Sequence, residues 1–326
     1  MITRRQILEG FLVASSMAIL AAGCREPRLV QDDDLAPPPG DPDGLRDELV
    51  PAIGSDATLD LATWNIENFP KRYFTPALSA DLIASLRLDI VALEEIADID
   101  AFEELVAHLP DHEGVLSPHV YSSGEYQKLA VVYRSDLLEV VSTSLLFEGD
   151  TYAFPRPALQ VDFKLAPAAG VEFDFTIIAV HLKAGVSASD ARRRMQAFEM
   201  LDDHVRDVLS GSGDHDIVIL GDFNEVLDTQ GGRDVWSPLL AAPDLYMIQT
   251  QAASDNLEYS WLPLGRLLDH IVSTTSLADE FAGRDARIPR LDQDVVEFEN
   301  TVSDHLPVVI SMPLSLSTPD APSDLP

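Results

Sequence analysis

Several apolar runs in this chain stop abruptly at short polar blocks. Asp216-Ile217-Val218-Ile219-Leu220 leads into Gly221-Asp222-Phe223-Asn224-Glu225, and Ser303-Asp304-His305-Leu306-Pro307 leads into Val308-Val309-Ile310. Upstream, Leu61-Ala62-Thr63-Trp64 closes on Asn65-Ile66-Glu67-Asn68, and Asp89-Ile90-Val91-Ala92-Leu93 closes on Glu94-Glu95-Ile96. Ile177-Ile178-Ala179-Val180 closes on His181-Leu182-Lys183. Runs of this length, rich in β-branched residues, predict buried strands. Acids, amides and imidazoles at strand ends do not serve packing, because buried charge is costly unless it is paired or binds a metal. Five such ends imply one cleft along one edge of a sheet assembly.

Helical periodicity alternates with these strands. Leu78, Leu82 and Leu86 predict a helix over 77–86, and Phe102, Leu105, Val106 and Leu109 predict one over 101–109, with Asp98 or Asp100 as its cap. The longest predicted helix covers 189–209, with Met195, Phe198, Leu201, Val205 and Val208 on its apolar stripe. Residues 129–133 and 158–163 read as further strands. Arg192, Arg193 and Arg194 sit in the first turns of the long helix, where cations oppose the dipole. A solvated helix face explains them, and phosphate contact is the rival reading.

The ends of the chain read differently. Thr3-Arg4-Arg5-Gln6-Ile7-Leu8 looks like a twin-arginine export signal, and the apolar stretch over 11–22 is too short to span a bilayer comfortably. Leu20-Ala21-Ala22-Gly23-Cys24 resembles a lipoprotein processing site, with the only cysteine of the chain where lipidation needs it. Residues 1–24 are therefore expected to be a signal peptide and Cys24 a lipid anchor on the extracytoplasmic side. An ordinary signal peptide with an incidental Cys24 is the alternative. Residues 25–57, rich in Asp and Pro, are expected to be a disordered linker, and 315–326 a frayed tail. This leaves 58–314 as the folded domain, and no repeat of solenoid period is present.

Composition narrows the partners. With 46% hydrophobic residues the chain can support a large core. A formal net charge of −33 lacks the electrostatic footprint of a tight, nonspecific duplex binder and mainly favours solubility. A single cysteine excludes an internal disulfide or a cysteine metal cluster. His108, His112, His119, His204 and His215 show no metal-ligand spacing, and no glycine-rich nucleotide fingerprint occurs. No protein partner is evident.

The five blocks, in this order over roughly 58–313, resemble the endonuclease/exonuclease/phosphatase superfamily of metal-dependent phosphoesterases. The resemblance implies a four-layer α/β/β/α sandwich of two packed mixed sheets flanked by helices, with the cleft between the sheets at one end. It implies Glu95 as first ligand of Mg²⁺ or Mn²⁺, with Ca²⁺ as a further option, and Asp304 and Glu67 as additions to the metal shell. The family usually carries Gln-Glu where this chain has Glu94-Glu95. Asp222 would orient and help deprotonate the attacking water, and Asn224 would fix water and phosphate. An Asx turn is the bland alternative for that pair. His305, backed by Asp269, would contact the phosphate, and His181 would supply positive charge in the transition state. Asn65 and Arg156 would contact phosphate, with an exposed loop arginine as the rival reading of Arg156. His270, where the family has an aromatic, reads as packing.

The function implied is hydrolysis of phosphate esters, with an extracytoplasmic nuclease as the leading reading. A phospholipid phosphodiesterase or a small-molecule phosphatase is the alternative. The lipid reading would be marked by an exposed apolar hairpin beside the cleft, for which residues 147–154 are the candidate. A surface-anchored binding lipoprotein without catalysis is a third possibility, and loss of reactive residues from the blocks would have favoured it.

Overall fold

The structure, a computed structural model, describes residues 49–121, 126–166, 173–211 and 215–314. The expected signal peptide with Cys24, the segment up to 48 and the tail from 315 lie outside the described residues. In chain order the elements are β1 (Thr58–Phe69), α1 (Thr75–Leu86), β2 (Ile90–Ile96), α2 (Ile99–Ala107), β3 (His112–Leu116), β4 (Lys128–Arg134), β5 (Leu138–Leu146), β6 (Ala158–Leu165) and β7 (Asp174–His181). They continue with α3 (Ala188–Ser210), β8 (Ile217–Asp222), α4 (Gln230–Val235), α5 (Ser237–Leu240), β9 (Tyr246–Ile248), α6 (Gln251–Asp255), β10 (Asp269–Thr274), α7 (Leu291–Asp294), α8 (Phe298–Thr301) and β11 (Val308–Pro313).

The strands form two mixed sheets, ordered β11-β1-β2-β4-β3 and β5-β6-β7-β8-β10-β9. The sheets face each other, β1 against β8 and β10, and β4 against β6 and β7. Side-chain parity assigns the faces. Ile178, Val180, Ile217, Ile219 and Val272 lie in one buried cluster with Phe198, Leu201 and Val205 of α3, so they point outward under the helix layer. His181, Asp222 and Asp269 have the opposite parity and point toward the other sheet. The expected sandwich of two mixed sheets with flanking helices is what the chain adopts.

Helix boundaries follow local chemistry. The Asp98 side chain accepts the Ala101 N–H at 3.2 Å and caps α2, which decides between Asp98 and Asp100. α3 begins with a reciprocal capping box between Ser187 and Asp190. The linker expected to reach 57 is shorter on its C-terminal side. Val50 is buried, and the amides of Ile53 and Gly54 donate to the Leu86 carbonyl, an end-of-helix acceptor that needs a donor. Among the described residues no helix is long and apolar enough to cross a membrane.

The outer core anchors the strand end that carries Asp222. Phe223 turns under the helices, where Trp236 packs against Phe198, Phe223 and His270 with ring centroids 4.4, 4.9 and 4.9 Å apart. His270 therefore packs, as its apolar surroundings predict. Its Nε2 meets the Glu225 carbonyl at 3.0 Å and its Nδ1 the Thr250 hydroxyl at 2.8 Å. Burial holds the ring neutral, lowering its pKa to about 4. Trp236→Ala should cost about 3–5 kcal/mol, as for other large-to-small changes in a core. A urea melt that moves by less than 1 kcal/mol would contradict this packing role.

Candidate active site

Pairing register assembles the site. His181 pairs with Asp222 on β8, and Asp222 with Asp269 on β10, so three chemical side chains stand in one row on the inner face. In the opposite sheet Asn65 pairs with Glu94. The sheets meet where Asn65 Nδ2 donates to Asp222 Oδ2 at 3.1 Å. A Cβ on Gly221 would lie 1.9 Å from the Val180 carbonyl, and the residue has φ 150°, so only glycine lets β8 close against β7 beside Asp222.

Left-handed backbone aims the remaining groups. Glu67, Asn68, Glu95 and Asn224 all have positive φ, between 41° and 67°, an uncommon state for non-glycine residues and one that gathers at functional sites. Two adjacent acids in a regular strand would point to opposite faces. Glu94 points inward, and an irregularity at the end of β2 with φ 67° at Glu95 turns its neighbour back into the cleft. Glu95 Oε1 thereby comes within 3.8 Å of His181 Nε2 on the other sheet, while its Oε2 accepts the Asn68 N–H at 3.0 Å. The Asn224 N–H donates to Asp222 Oδ1 at 2.8 Å, the Asx turn, and the Asn224 side chain donates to the Leu182 carbonyl at 3.3 Å.

The buried acids carry different protons. Asp222 is buried near Asp269, and these effects push its pKa up to about 7 against the charge of His305 and the donors Asn224 and Asn65. Burial alone would favour a neutral His305. The charge and hydrogen bond of Asp269, with Asp222 and Asp304 adding, overcome it and raise His305 to about 10. His305 Nδ1 donates to Asp269 Oδ2 at 2.7 Å, and the Ser260 hydroxyl donates to the same oxygen at 2.5 Å. The Ser303 hydroxyl holds this corner by accepting the His305 N–H and donating to the Asn65 carbonyl.

His181, expected to supply positive charge in the transition state, is buried in the row. Burial, reinforced by the charges of Arg156 and His305, holds its pKa well below the imidazole range. Its ring is thereby held neutral, its Nδ1 has no hydrogen-bond partner among the described residues, and the cation beside the row is His305. Glu94, the departure from the family pattern, is also neutral. Burial and the charges of Asp269 and Asp222 push its carboxyl well above the usual range, although the Thr63 hydroxyl donates to its Oε1 at 2.9 Å. A neutral acid resembles the glutamine usual at that position in shape and polarity.

The arginine cluster divides. Arg194 is buried and donates through Nε and Nη2 to Glu225 Oε2, and through Nη1 to the carbonyls of Lys183 and Gly185 at 2.8 Å each. It straps the loop after His181 to the turn after Asp222, so neither a solvated face nor phosphate contact describes it. Arg193 bonds the Thr151 and Tyr152 carbonyls and lines the cleft. Arg156 also lines the cleft, held by Gln127, and is not a free loop arginine. The 147–154 loop is not an exposed apolar hairpin either. Phe147 stacks on buried Phe154 at 4.4 Å, leaving Tyr152 as its exposed apolar side chain.

The donor set at Glu95 fits a hard divalent cation. Its Oε1 accepts no hydrogen bond among the described residues, and the neighbouring candidates are oxygen donors. Asp304 Oδ2 accepts from Trp261 Nε1 at 2.9 Å, and its Oδ1, 3.9 Å from His305 Nε2, is the oxygen available for the expected metal role. One Glu67 oxygen accepts the Asp304 N–H and pairs with Lys71, leaving the other for a ligand. Asp222, Asp269 and His305 also bring potential ligand atoms within 4.8 Å of one another. There, however, the imidazole proton already joins His305 to Asp269, which makes that group a dyad. Sequence alone carried no signal for Ser260, Trp261 or Gln127, which act only through the contacts the fold gives them.

The family described as "Endonuclease/Exonuclease/phosphatase family" matches residues 62–305. An endonuclease/exonuclease/phosphatase family protein from Bacteroides thetaiotaomicron superposes with TM-score 0.57 at 15% identity, covering 79% of this chain and 98% of that one. A mannosyl-6-phosphatase from the same organism gives 0.55 at 13%, covering 77% and 98%. D. rerio TDP2 complexed with single strand DNA product gives 0.55 at 11%, covering 78% and 99%. No curated protein matches the chain in sequence.

The neutral state of Glu94 has a measurable consequence. A carboxyl whose folded pKa is raised contributes fully below its unfolded value of 4.5, and loses that contribution as pH rises toward the folded value. Glu94→Gln removes the titration. In chelator, the melting temperature of the variant relative to the parent should therefore be higher at pH 8 than at pH 5. A difference independent of pH would show that Glu94 is not held neutral.

Proposed function

The chain belongs to the endonuclease/exonuclease/phosphatase family of metal-dependent phosphoesterases, and on that premise we propose that it is an exported nuclease that hydrolyses phosphodiester bonds by in-line attack of water. The observation that carries the chemistry is the row of His181, Asp222 and Asp269 on one inner face, with His305 Nδ1 donating to Asp269 Oδ2 at 2.7 Å; burial there raises Asp222 to about 7 while Asp269 raises His305 to about 10. At neutral pH a carboxyl of that pKa can take a proton from water, while the imidazolium remains charged.

Asp222 accepts the proton of the attacking water, and Asn224, fixed by its bonds to Asp222 and Leu182, orients it. His305, held by Asp269, donates to the phosphoryl oxygens as negative charge develops. His181 adds a neutral N–H, and Asn65 and Arg156 hold the phosphate. Mg²⁺ or Mn²⁺, with Ca²⁺ as the other candidate, would be held by Glu95 with Asp304 and Glu67, and supplies Lewis-acid polarisation of the phosphoryl group when bound.

Export rests on the twin-arginine-like leader, and anchoring on Cys24. An exported enzyme does not meet the chromosome, so scavenging of external nucleic acid fits better than repair. The phospholipid reading loses its best support with the packed 147–154 loop. A purely binding role is disfavoured because each block retains its reactive side chains.

With Mg²⁺, Mn²⁺ or Ca²⁺ the full chain should cleave DNA or RNA, and chelator should stop it. His305→Ala and Asp222→Asn should each lower kcat by about 10² or more with the circular dichroism spectrum retained. Failure to hydrolyse any phosphodiester or phosphomonoester with each metal would overturn the proposal.

A further inference from the structure

Beside Glu95 the cleft widens into a cavity of about 760 Å³ lined by Asn68, Tyr121, Tyr126, Arg156, Lys183 and Arg193. Its wall is joined to the metal-ligand candidate by a chain of hydrogen bonds. The Asn68 N–H donates to Glu95, Gln127 Nε2 donates to Asn68 Oδ1 at 2.7 Å, and Gln127 Oε1 accepts from Arg156. Both ends of the Gln127 amide are thus engaged, and Arg156, which lines the cavity, lies near enough to Glu95 and Asp222 to feel both carboxylates.

The two tyrosines are held in place by protein groups alone. The Tyr121 hydroxyl donates to the Gln127 carbonyl at 3.0 Å, and its ring meets His119 edge-on at 4.6 Å. Tyr126 stacks with Tyr121 at 6.4 Å and 24° between planes, and the Lys128 ammonium sits 5.4 Å from its centroid. Lys128 is itself tied to the Ser117 and His119 carbonyls. Rigid rings braced in this way suit planar partners at little entropic cost.

The cations are unexpected on this chain. With 22 basic against 55 acidic residues, its surface repels polyanions. Arg156, Lys183 and Arg193 nevertheless converge on this one cavity. Arg193 is aimed by the Thr151 and Tyr152 carbonyls, which are neutral and leave its charge in place. Lys183 is offset in part by Asp190 at 3.5 Å. One scissile phosphate needs Arg156 and the histidines. Two further cations call for a second anionic group on the same ligand.

We propose that this cavity is a nucleotide subsite, in which Tyr126 and Tyr121 stack a base of a single-stranded polynucleotide while Lys183 and Arg193 hold the phosphate next to the scissile one. Stacking on aromatics beside a cationic groove is how single strands are bound without sequence preference. A paired base has no free face to offer the rings, so single strands are preferred to duplex. A phospholipid would need a long apolar trough, whereas the non-aromatic apolar lining is Ala97, Pro155 and Ala184. A sugar monophosphate would leave the additional cations without a partner. The proposal rests on the phosphodiesterase reading above.

The test uses the full chain and three probes: a single-stranded oligonucleotide, the same strand with abasic residues, and methyl p-nitrophenyl phosphate. Fluorescence anisotropy in chelator with the labelled oligonucleotide reads binding apart from turnover. Tyr126→Ala and Arg193→Gln should each lower the oligonucleotide-to-small-diester ratio of kcat/KM about tenfold or more. Tyr126→Phe should restore it, and the Tyr126→Ala effect should vanish on the abasic strand. Hydrolysis of the small diester with no oligonucleotide binding, or equal losses on all substrates, would overturn the subsite and leave the phosphodiesterase reading intact. Oligonucleotide binding that weakens in Tyr126→Ala, without any hydrolysis, would support the subsite and overturn the catalytic reading.

Discussion

Three carboxyl groups, Glu94, Asp222 and Asp269, are buried between two facing sheets, and each must be neutralised where it stands. Glu94 does so by keeping its proton. Asp269 does so by pairing with a charged His305 and accepting from Ser260. Asp222 is balanced by the Asn65 amide and its own Asx turn, which leaves its pKa near neutrality. Removing the partner of Asp222 or Asp269 would leave a buried charge uncompensated, so these polar contacts tie the sheets together and fix the protonation pattern between them.

That row depends on close backbone control. Gly221 lets β7 and β8 approach beside Asp222, and a left-handed Glu95 brings its carboxylate around to the cleft. Such conformations persist only when their surroundings hold them. The surroundings here are the aromatic packing under Phe223 and the Arg194 strap from Glu225 to the loop after His181. Arg194 thus joins the helix layer to two site loops through a buried ion pair at 2.8 Å. The site is therefore braced on the side of Asp222 and Asn224.

Charge is divided just as sharply. The chain as a whole is strongly acidic, yet Arg156, Lys183 and Arg193 line one cavity. Long-range attraction for a polyanion is absent, so affinity must arise from contacts inside the cleft.

Much of this protein was legible in its sequence. The order of strands and helices, and the five strand-end blocks, follow from periodicity and from the cost of burying charge. The grouping of Asp222, Asn224, Asp269, His181 and His305 was what the resemblance implied, and the row formed by His181, Asp222 and Asp269 is a matter of sheet register. Other features only the tertiary structure decided. Arg192, Arg193 and Arg194 are equivalent in sequence, but their burial and partners depend on which loops the helix meets. The charge of His305 and the neutrality of His181 and Glu94 depend on which groups lie across the sheets. Tyr121, Gln127 and Tyr126 become a cavity wall only when the β3–β4 connection is brought beside Arg156. Periodicity and propensity are local, whereas charge state and cavity shape are set by contacts between residues far apart in the chain.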